Sequence, residues 1–325
     1  MVTESGIYPA VGGMPVAENG DVERELDVRA GLGLFASEGS LHQLLAIARQ
    51  IELRPGAVLY EVGTPVRSVY QVTRGTLEMR LDGFPTWTVT GRGTLGFLDF
   101  MRARPHSRTA VATSESRILA LDANNYLEFV EDNFEVGHQI LAQLAGNLVE
   151  GILGVPDPAL MLGCTIDQQN RPRSYANVEV SLVDRVILLQ RVPAFATGSV
   201  QALANLAQNA REARYEAGEV IVTAGQRTDE IMVLVGGQIE LTSPTTDLKA
   251  TRSPVDLLAG PAELATTART LTATAIRDSV VLQIDREELL DRIEEHFELS
   301  QSMFSYIATQ TEVLNNAKAI QGKTL

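Results

Sequence analysis

Residues 53–81, LRPGAVLYEVGTPVRSVYQVTRGTLEMRL, have a second copy at residues 215–243, YEAGEVIVTAGQRTDEIMVLVGGQIELTS. The matching positions stand at a constant offset of 162: Gly56 with Gly218, Gly63 with Gly225, Gly75 with Gly237 and Glu78 with Glu240. Farther along, at an offset of 163, Ser116 matches Ser279 and Asp122 matches Asp285, and upstream LGLFAS at 32–37 answers VPAFAT at 192–197. A nearly constant offset over so long a stretch predicts two homologous domains in tandem.

Within each copy the hydrophobic pattern is that of short strands. Apolar and polar residues alternate in VLYEV, SVYQVT, TLEMRL and TWTVT, and turns that carry Gly or Pro separate these runs. Gly63 and Gly75 stand where a tight reversal needs a positive φ, which glycine adopts at little cost. Each copy is therefore predicted to fold as a compact antiparallel β-roll or jelly roll.

Helical patterns bracket the strands. They precede them at 41–51 and 201–210, and Asp122 and Asp285 are placed as N-caps of the helices that follow, with Glu288 positioned to complete a capping box. Apolar residues recur at close to a 3.6-residue period along a predicted helix at 285–314. The first copy has equivalent apolar positions at Tyr126, Phe129, Val130, Ile140, Leu141 and Leu144.

The predicted fold class is mainly β with flanking helices (α+β), built as two tandem β-roll or jelly-roll domains that are each closed by C-terminal helices. We expect domain 1 at 26–152 and domain 2 at 185–316. A poorly patterned stretch makes 153–184 the predicted linker. We expect a disordered tail at 1–25 and a short tail at 317–325.

Composition excludes several classes of function. The 325 residues carry a formal net charge of −14 and no run of Lys or Arg, which argues against a nucleic acid or an anionic membrane as the main partner. One cysteine, Cys164, and four scattered histidines offer neither a disulfide framework nor metal-ligand spacing. Since no signal peptide or membrane-spanning run is present, the predicted location is the cytoplasm.

The segment GRGTLG at 91–96 spells G-x-G-x-x-G, the phosphate-binding turn of a dinucleotide-binding βαβ unit. That unit needs a parallel strand before the turn and a helix after it, whereas short alternating strands flank this segment. We therefore do not expect a dehydrogenase. With no nucleophile elbow, P-loop or metal cluster in the sequence, we predict that the protein is not an enzyme.

The order of these signals resembles the cyclic-nucleotide-binding domain family, which includes the catabolite activators and the regulatory subunit of the cyclic-AMP-dependent protein kinase. The shared pattern is a helix, P-G-x-x-L/I, a glycine turn, a V-x-x-V strand, G-x-x-E, a glycine-led loop and a closing helix. The resemblance covers about 28–150 and 185–316.

The resemblance implies a phosphate-binding cassette of roughly G-E-x-A-(x)5-P-R-x-x-T between two strands. In the family, the N–H groups of a short helix and a forked arginine hold the cyclic phosphate. The glutamate accepts a hydrogen bond from the ribose 2′-hydroxyl, and the threonine or serine donates to the phosphate or the base.

In the first copy the spacing survives but the identities change. Phe97 stands at the glutamate position and His106 at the arginine position, while Arg108 could reach the same face two residues later. The favoured interpretation of this copy is a barrel that kept its shape and lost its ligand, with rescue by Arg108 as the alternative. The weaker candidate ligand residues are Gly96, Phe97, Leu98, His106, Arg108 and Thr109.

In the second copy the identities survive but the spacing changes. Glu263 and Arg269 stand at the glutamate and arginine positions, six residues apart where the family has nine, which removes most of a helical turn from the cassette. The alternative is a solvated acid and a structural arginine. The candidate ligand residues are Ala262, Glu263, Leu264, Ala265, Arg269, Thr270 and Thr272.

Two hypotheses of function remain. In the first, a non-enzymatic regulatory protein senses cyclic AMP, cyclic GMP or a related nucleotide such as a cyclic dinucleotide in domain 2, and transmits binding through the closing helix to a protein partner. In the second, neither domain binds a nucleotide, and the chain is an adaptor. No cofactor or metal is expected, and a homodimer through the closing helix is a further hypothesis. Because only NNAKAIQGKTL follows Leu314, we expect no DNA-binding domain after that helix.

Overall fold

The computed structural model of the protein describes residues 48–91, 93–154, 175, 178–265 and 268–320. The predicted tail at 1–25, the first part of the predicted helix at 41–51 and most of the predicted linker lie outside the described residues.

The described part of domain 1 contains eight short strands in two antiparallel sheets, ordered β1-β8-β3-β6 and β2-β7-β4-β5. A short helix, α1 (Phe97–Met101), stands between β6 and β7, and two longer helices, α2 (Ala123–Asp132) and α3 (Phe134–Leu153), follow the last strand. The strands are β1 Ala48–Leu53, β2 Val58–Tyr60, β3 Ser68–Arg74, β4 Thr76–Arg80, β5 Trp87–Thr90, β6 Thr94–Leu95, β7 Thr109–Ala112 and β8 Ser116–Asp122.

Domain 2 repeats this plan with fewer and longer strands in one antiparallel sheet of six. Helices α4 (Leu182–Arg191) and α5 (Val200–Asn209) precede it, joined through a 3-10 turn at Pro193–Phe195. A second 3-10 turn, Gly260–Glu263, takes the place of α1, and helices α6 (Arg286–Glu295) and α7 (Phe297–Ile320) follow. The strands are β9 Arg211–Tyr215, β10 Val220–Val222, β11 Glu230–Thr242, β12 Lys249–Arg252, β13 Asp256–Leu257 and β14 Thr272–Asp285.

The two domains share strand register, as the repeat predicts. Tyr70 faces Ala120 across β3 and β8, and the matching residues Met232 and Gln283 face each other across β11 and β14. Gly75 and Gly237 both take a positive φ, 94° and 85°. A Cβ added at either glycine would collide with backbone atoms and with the serine of the matched pair, Ser116 or Ser279, in the neighbouring strand. Only glycine fits this turn, which explains why it stands in both copies.

The helix signals were correct at the caps and less accurate at the boundaries. Asp122 and Asp285 cap α2 and α6 by accepting from the two backbone N–H groups that cap residues usually satisfy. The Glu288 side chain accepts from Asn209 (2.8 Å) instead of completing a capping box.

Two helix predictions were wrong. Residues 48–51 of the predicted helix at 41–51 belong to β1, which pairs along its whole length with β8, because strand pairing overrides the local helical period. The helix predicted at 285–314 is interrupted at His296, where φ is −134°, and the first copy breaks equivalently at Asn133.

The helices of both domains share one apolar core. Tyr126, Ile140 and Leu148 of domain 1 belong to the same buried cluster as Phe195 and Met303 of domain 2. The roll of domain 1 has a separate interior, formed around Val72, Leu77 and Ile118. Helix α7 lies against both α1 and α3, so the closing helices run between the two rolls. Among the described helices, none has an apolar stretch long enough to cross a membrane.

Candidate functional site

The structure places the two phosphate-binding cassettes predicted from sequence at equivalent points of the two rolls. Cassette 1 is defined here as residues 96–109 and cassette 2 as residues 260–265 and 268–272. His106 exchanges backbone hydrogen bonds with Gly63 and Thr64, and Arg269 makes the same two bonds with Gly225 and Gln226, all between 2.7 and 2.9 Å. The histidine and the arginine therefore occupy the same position of the fold.

In cassette 2, the candidate ligand residues Glu263 and Arg269 bind each other. The Arg269 Nη1 to Glu263 Oε2 distance is 2.9 Å, and the two side chains are only 3% and 0% exposed. The rest of the guanidinium is also satisfied, since Nε donates to Thr228 Oγ1 (2.8 Å) and Nη2 donates to the Glu230 carbonyl (2.6 Å). All three nitrogens of the Arg269 guanidinium therefore have a partner within the protein.

The Glu263 carboxylate also accepts hydrogen bonds from two backbone N–H groups next to the cassette. It accepts from Met232 N at 3.0 Å and from Ala259 N at 3.2 Å, while Arg286 donates to the Glu263 carbonyl at 3.2 Å. Burial raises the pKa of Glu263, against the opposing effects of Arg269 and of these two N–H groups. An arginine and backbone N–H groups are the donors with which proteins hold phosphate, and here a carboxylate of the chain receives them.

The other predicted residues of cassette 2 face the interior. Ala262, Leu264 and Ala265 are buried. Thr272 Oγ1 accepts from Ala224 N at 3.0 Å, which ties the strand to the neighbouring turn. Thr270 Oγ1 is buried without a hydrogen-bond partner among the described residues. The 3-10 turn replaces the α-helix of cassette 1, as the shorter spacing between Glu263 and Arg269 predicts.

In cassette 1, Phe97 lies in the apolar core. Its ring packs edge-on against Tyr126 at 6.0 Å and against Phe304 at 5.8 Å between centroids. Phe304 belongs to α7, so a helix of domain 2 contacts the position where the family has its ribose-binding glutamate. Gly96 precedes α1 with a φ of 80°, and Leu98 is partly buried against the same core.

His106 is stacked on Tyr60. The ring centroids lie 3.6 Å apart with an interplanar angle of 9°, and the histidine is 3% exposed. His106 Nδ1 and Tyr60 Oη are buried without hydrogen-bond partners among the described residues. Burial lowers the pKa of His106, against the effect of Asp99, so that the imidazole is neutral at pH 7.

Arg108 points to the domain interface. Its guanidinium lies 3.8 Å from the centre of the Trp87 ring and donates to the Pro85 carbonyl at 2.8 Å. It also donates to Asn316 Oδ1 of α7 at 3.1 Å. Thr109 makes the bond that Thr272 makes in the other copy, accepting from Val62 N at 3.0 Å.

Each cassette is covered by a helix of the other domain. On cassette 1, Glu312 of α7 forms ion pairs with Arg102 and Arg104, the latter at 2.8 Å. On cassette 2, Val149 and Leu153 of α3 pack against Ala259 and Ala262. The sequence reasoning missed these residues, because nothing in a local pattern indicates a contact between positions 208 apart.

One cavity among the helices lies away from both cassettes. Its volume is about 100 Å³, and it sits where α2 meets α3 and α6 meets α7. Apolar side chains, among them Val130, Phe134 and Ile293, share its wall with Glu131 and Glu294. None of the candidate ligand residues lines this cavity.

Comparison with known proteins gives one family. The family model for the cyclic nucleotide-binding domain matches residues 50–133 and 212–296, more than half of the chain in two copies. No curated protein matches the chain.

Solved structures that match the chain include regulatory domains of protein kinases. The regulatory domain of Toxoplasma gondii PKA, solved with cAMP, is 14% identical with a TM-score of 0.35, and the match covers 91% of this chain and 98% of that one. The regulatory subunit of a cAMP-independent protein kinase A from Trypanosoma brucei is 14% identical, with 95% of each chain covered and a TM-score of 0.34. The sensor domain of the transcriptional regulator DNR from Pseudomonas aeruginosa is 22% identical, with 43% of this chain and 97% of that one covered and a TM-score of 0.37.

Proposed function

The chain belongs to the cyclic nucleotide-binding domain family, and we propose that it is a non-enzymatic regulatory adaptor whose own side chains fill both nucleotide sites. It would then act through contact with a protein partner rather than by sensing a cyclic nucleotide. The observation that carries this proposal is the buried pair of Glu263 and Arg269.

A nucleotide at cassette 2 would have to displace Glu263 from Arg269. A cyclic phosphate that took over Arg269 would leave the Glu263 carboxylate buried without its cation. Breaking such a pair costs about 3–5 kcal/mol, which would weaken binding by a factor of roughly 10²–10⁴. The shortened cassette offers few new contacts to offset that cost, because its 3-10 turn covers only Gly260–Glu263.

Cassette 1 supports the same proposal by a different arrangement. Phe97 offers no acceptor for a ribose hydroxyl, and the neutral His106 carries no charge to neutralise a phosphate. The ring of Phe304 lies against Phe97, in place of a ligand.

A second candidate function is nucleotide sensing by domain 2, and the identities of Glu263 and Arg269 favour it together with the buried, unpartnered hydroxyl of Thr270. Cyclic AMP or GMP, or a cyclic dinucleotide, would bind between the 3-10 turn and Thr270, exchange with Glu263 at Arg269, and move α6 and α7. The ligand residues would be Ala262, Glu263, Leu264, Ala265, Arg269, Thr270 and Thr272.

Isothermal titration separates the two candidates. For the full chain with cyclic AMP, cyclic GMP and a cyclic dinucleotide, we expect no saturable binding up to about 1 mM ligand. Light scattering should give the same molecular mass with and without these ligands. Saturable binding with a micromolar Kd would overturn the adaptor proposal.

Variants then locate any binding that is found. Arg269→Lys keeps the charge but loses the fork, and Arg292→Lys is the matched change at a more exposed ion pair, with Glu288. Affinity lost in the first variant and kept in the second would establish nucleotide sensing at cassette 2.

A further inference from the structure

A cluster of three arginines lies where α7 crosses cassette 1. Arg102 and Arg104 both pair with the Glu312 carboxylate, and Arg108 binds Asn316 one helical turn later. Positions 312 and 316 share one face of the helix, so the three guanidinium groups approach the same side of α7. The groups of α7 that contact these three cations are one carboxylate, that of Glu312, and one amide, that of Asn316.

The turn between the first two arginines directs both of them to that carboxylate. Ala103 takes a φ of 49°, a left-handed conformation that non-glycine residues rarely adopt. The acid nearest in sequence, Asp99, accepts from Ser107 N at 2.9 Å and from Ser107 Oγ at 3.0 Å. Asp99 acts on Arg102 only electrostatically, and Glu312 is the carboxylate that contacts Arg102 and Arg104 directly.

The Glu312 contact is accessible to solvent, unlike the pair in cassette 2. The side chains of Glu312 and Arg104 are 29% and 42% exposed, and that of Arg102 is 14% exposed. An ion pair at this exposure is worth at most about 1 kcal/mol, so another anion can replace the carboxylate. The two guanidinium groups that meet at Glu312 match the oxygens of a phosphate group, and Arg108, which is 3% exposed, lies one helical turn away beneath Asn316.

We propose that Arg102, Arg104 and Arg108 form a phosphate-binding site at the domain interface, which Glu312 fills in the unliganded chain. The ligand is a phosphate dianion, either inorganic phosphate or a phosphomonoester. Its binding displaces Glu312 and loosens the contact of α7 with cassette 1. The inference rests on the proposed adaptor function, because α7 is then the helix whose contact with cassette 1 the bound phosphate changes.

The single tryptophan provides the measurement, because Trp87 stacks on Arg108. We expect titration of the full chain with inorganic phosphate to change Trp87 fluorescence saturably. Glu312→Gln should tighten binding about fivefold, the factor that corresponds to losing a competitor worth about 1 kcal/mol. Arg104→Gln should weaken it. Adenosine 5′-monophosphate in a parallel titration distinguishes a phosphomonoester site from one for free phosphate.

The matched control is Glu287→Gln, which removes one exposed acid from α6 and changes the net charge equally. Equal phosphate affinity in Glu287→Gln and Glu312→Gln, or no saturable signal in the wild type and Glu312→Gln, would overturn the proposal. Hydrogen exchange of α7 should speed up in saturating phosphate, and unchanged exchange would refute the release of the helix. Cyclic nucleotide binding that depends on Arg269 but not on Arg104 would overturn the adaptor function and leave this site intact.

Discussion

Cassettes 1 and 2 stand at the same point of two homologous rolls, yet each is filled in its own way. Cassette 2 is neutralised from within, by Glu263 on Arg269, and water reaches neither side chain. Cassette 1 is neutralised from outside, by Glu312 of the other domain's helix, in a contact that is open to solvent. Another anion therefore has easier access to the arginines of cassette 1 than to Arg269 in cassette 2.

Helix α7 also holds the two domains together, since it contacts α1 and α3 of domain 1. The apolar face of α7 is already used within the chain, since Phe304 meets Phe97 and Leu314 lies against Gly151 of α3. A homodimer through the same face would have to break these contacts. The hypothesis of a dimer seam on this helix therefore competes with the internal interface.

The largest expected effect comes from breaking the pair in cassette 2. Arg269→Met should lower the free energy of unfolding by about 3–5 kcal/mol, because Glu263 is left buried without a cation. The double variant Glu263→Gln/Arg269→Met should recover most of the loss. Urea unfolding followed by circular dichroism measures both, with Arg292→Met at the partly exposed pair with Glu288 as the control, for which we expect less than about 1 kcal/mol.

The same variant has a predicted pH dependence. Burial already raises the pKa of Glu263, and removal of Arg269 raises it further. A carboxyl with a raised folded pKa destabilises the protein above that pKa, and the cost disappears as the pH falls below it. The difference between Arg269→Met and the wild type should therefore shrink from pH 7.5 to pH 5. A constant difference would contradict the buried-carboxylate account.

The next largest effect is expected at the turn glycines, where substitutions in the two domains should have the same result. Gly75→Ala and Gly237→Ala should each cost about 2 kcal/mol or more, because φ is positive and the added Cβ collides with the next strand. Gly146→Ala in α3, where a Cβ has open space, should be neutral or stabilising. Thermal unfolding of the three variants suffices, and a large cost in only one of the first two would break the equivalence of the turns.

A smaller effect measures the contact between the domains. In a double-mutant cycle of Phe97→Leu and Phe304→Leu, we expect a coupling energy of about 0.5–1.5 kcal/mol from the edge-on ring pair. A cycle of Phe304→Leu with Phe84→Leu, at an exposed ring of domain 1, should be additive. Additive effects in the first cycle would show that the contact of Phe304 with Phe97 does not stabilise the packing of α7 on cassette 1.

The smallest effect concerns His106. Its pKa is lowered by burial, so the folded protein binds fewer protons than the unfolded chain as the pH falls through the ordinary range of histidine. The neutral imidazole therefore contributes to stability above that pH range, and this contribution is lost as the pH falls through the lowered pKa of His106. His106→Phe keeps the stack on Tyr60 and should reduce the loss of stability between pH 7.5 and pH 5. An identical pH profile would show that the buried imidazole does not titrate in this way.

Much of the fold could be predicted from local pattern. Turn glycines, N-cap aspartates and alternating strands depend on neighbours along the chain, and so the duplicated roll and the equivalence of His106 and Arg269 could be inferred. The start of β1 could not, because its pairing with β8 outweighs a local helical period.

The sequence by itself determined that the chain is a twice-repeated cyclic-nucleotide-binding fold and which residues stand at the two cassettes. Only the tertiary structure decided that Glu263 and Arg269 bind each other, that Arg108 turns to Trp87 and Asn316, and that Glu312 reaches cassette 1 from the other domain. The physical reason is that backbone conformation responds to nearby residues in the chain, whereas a charged side chain binds whichever counter-charge lies within reach in space.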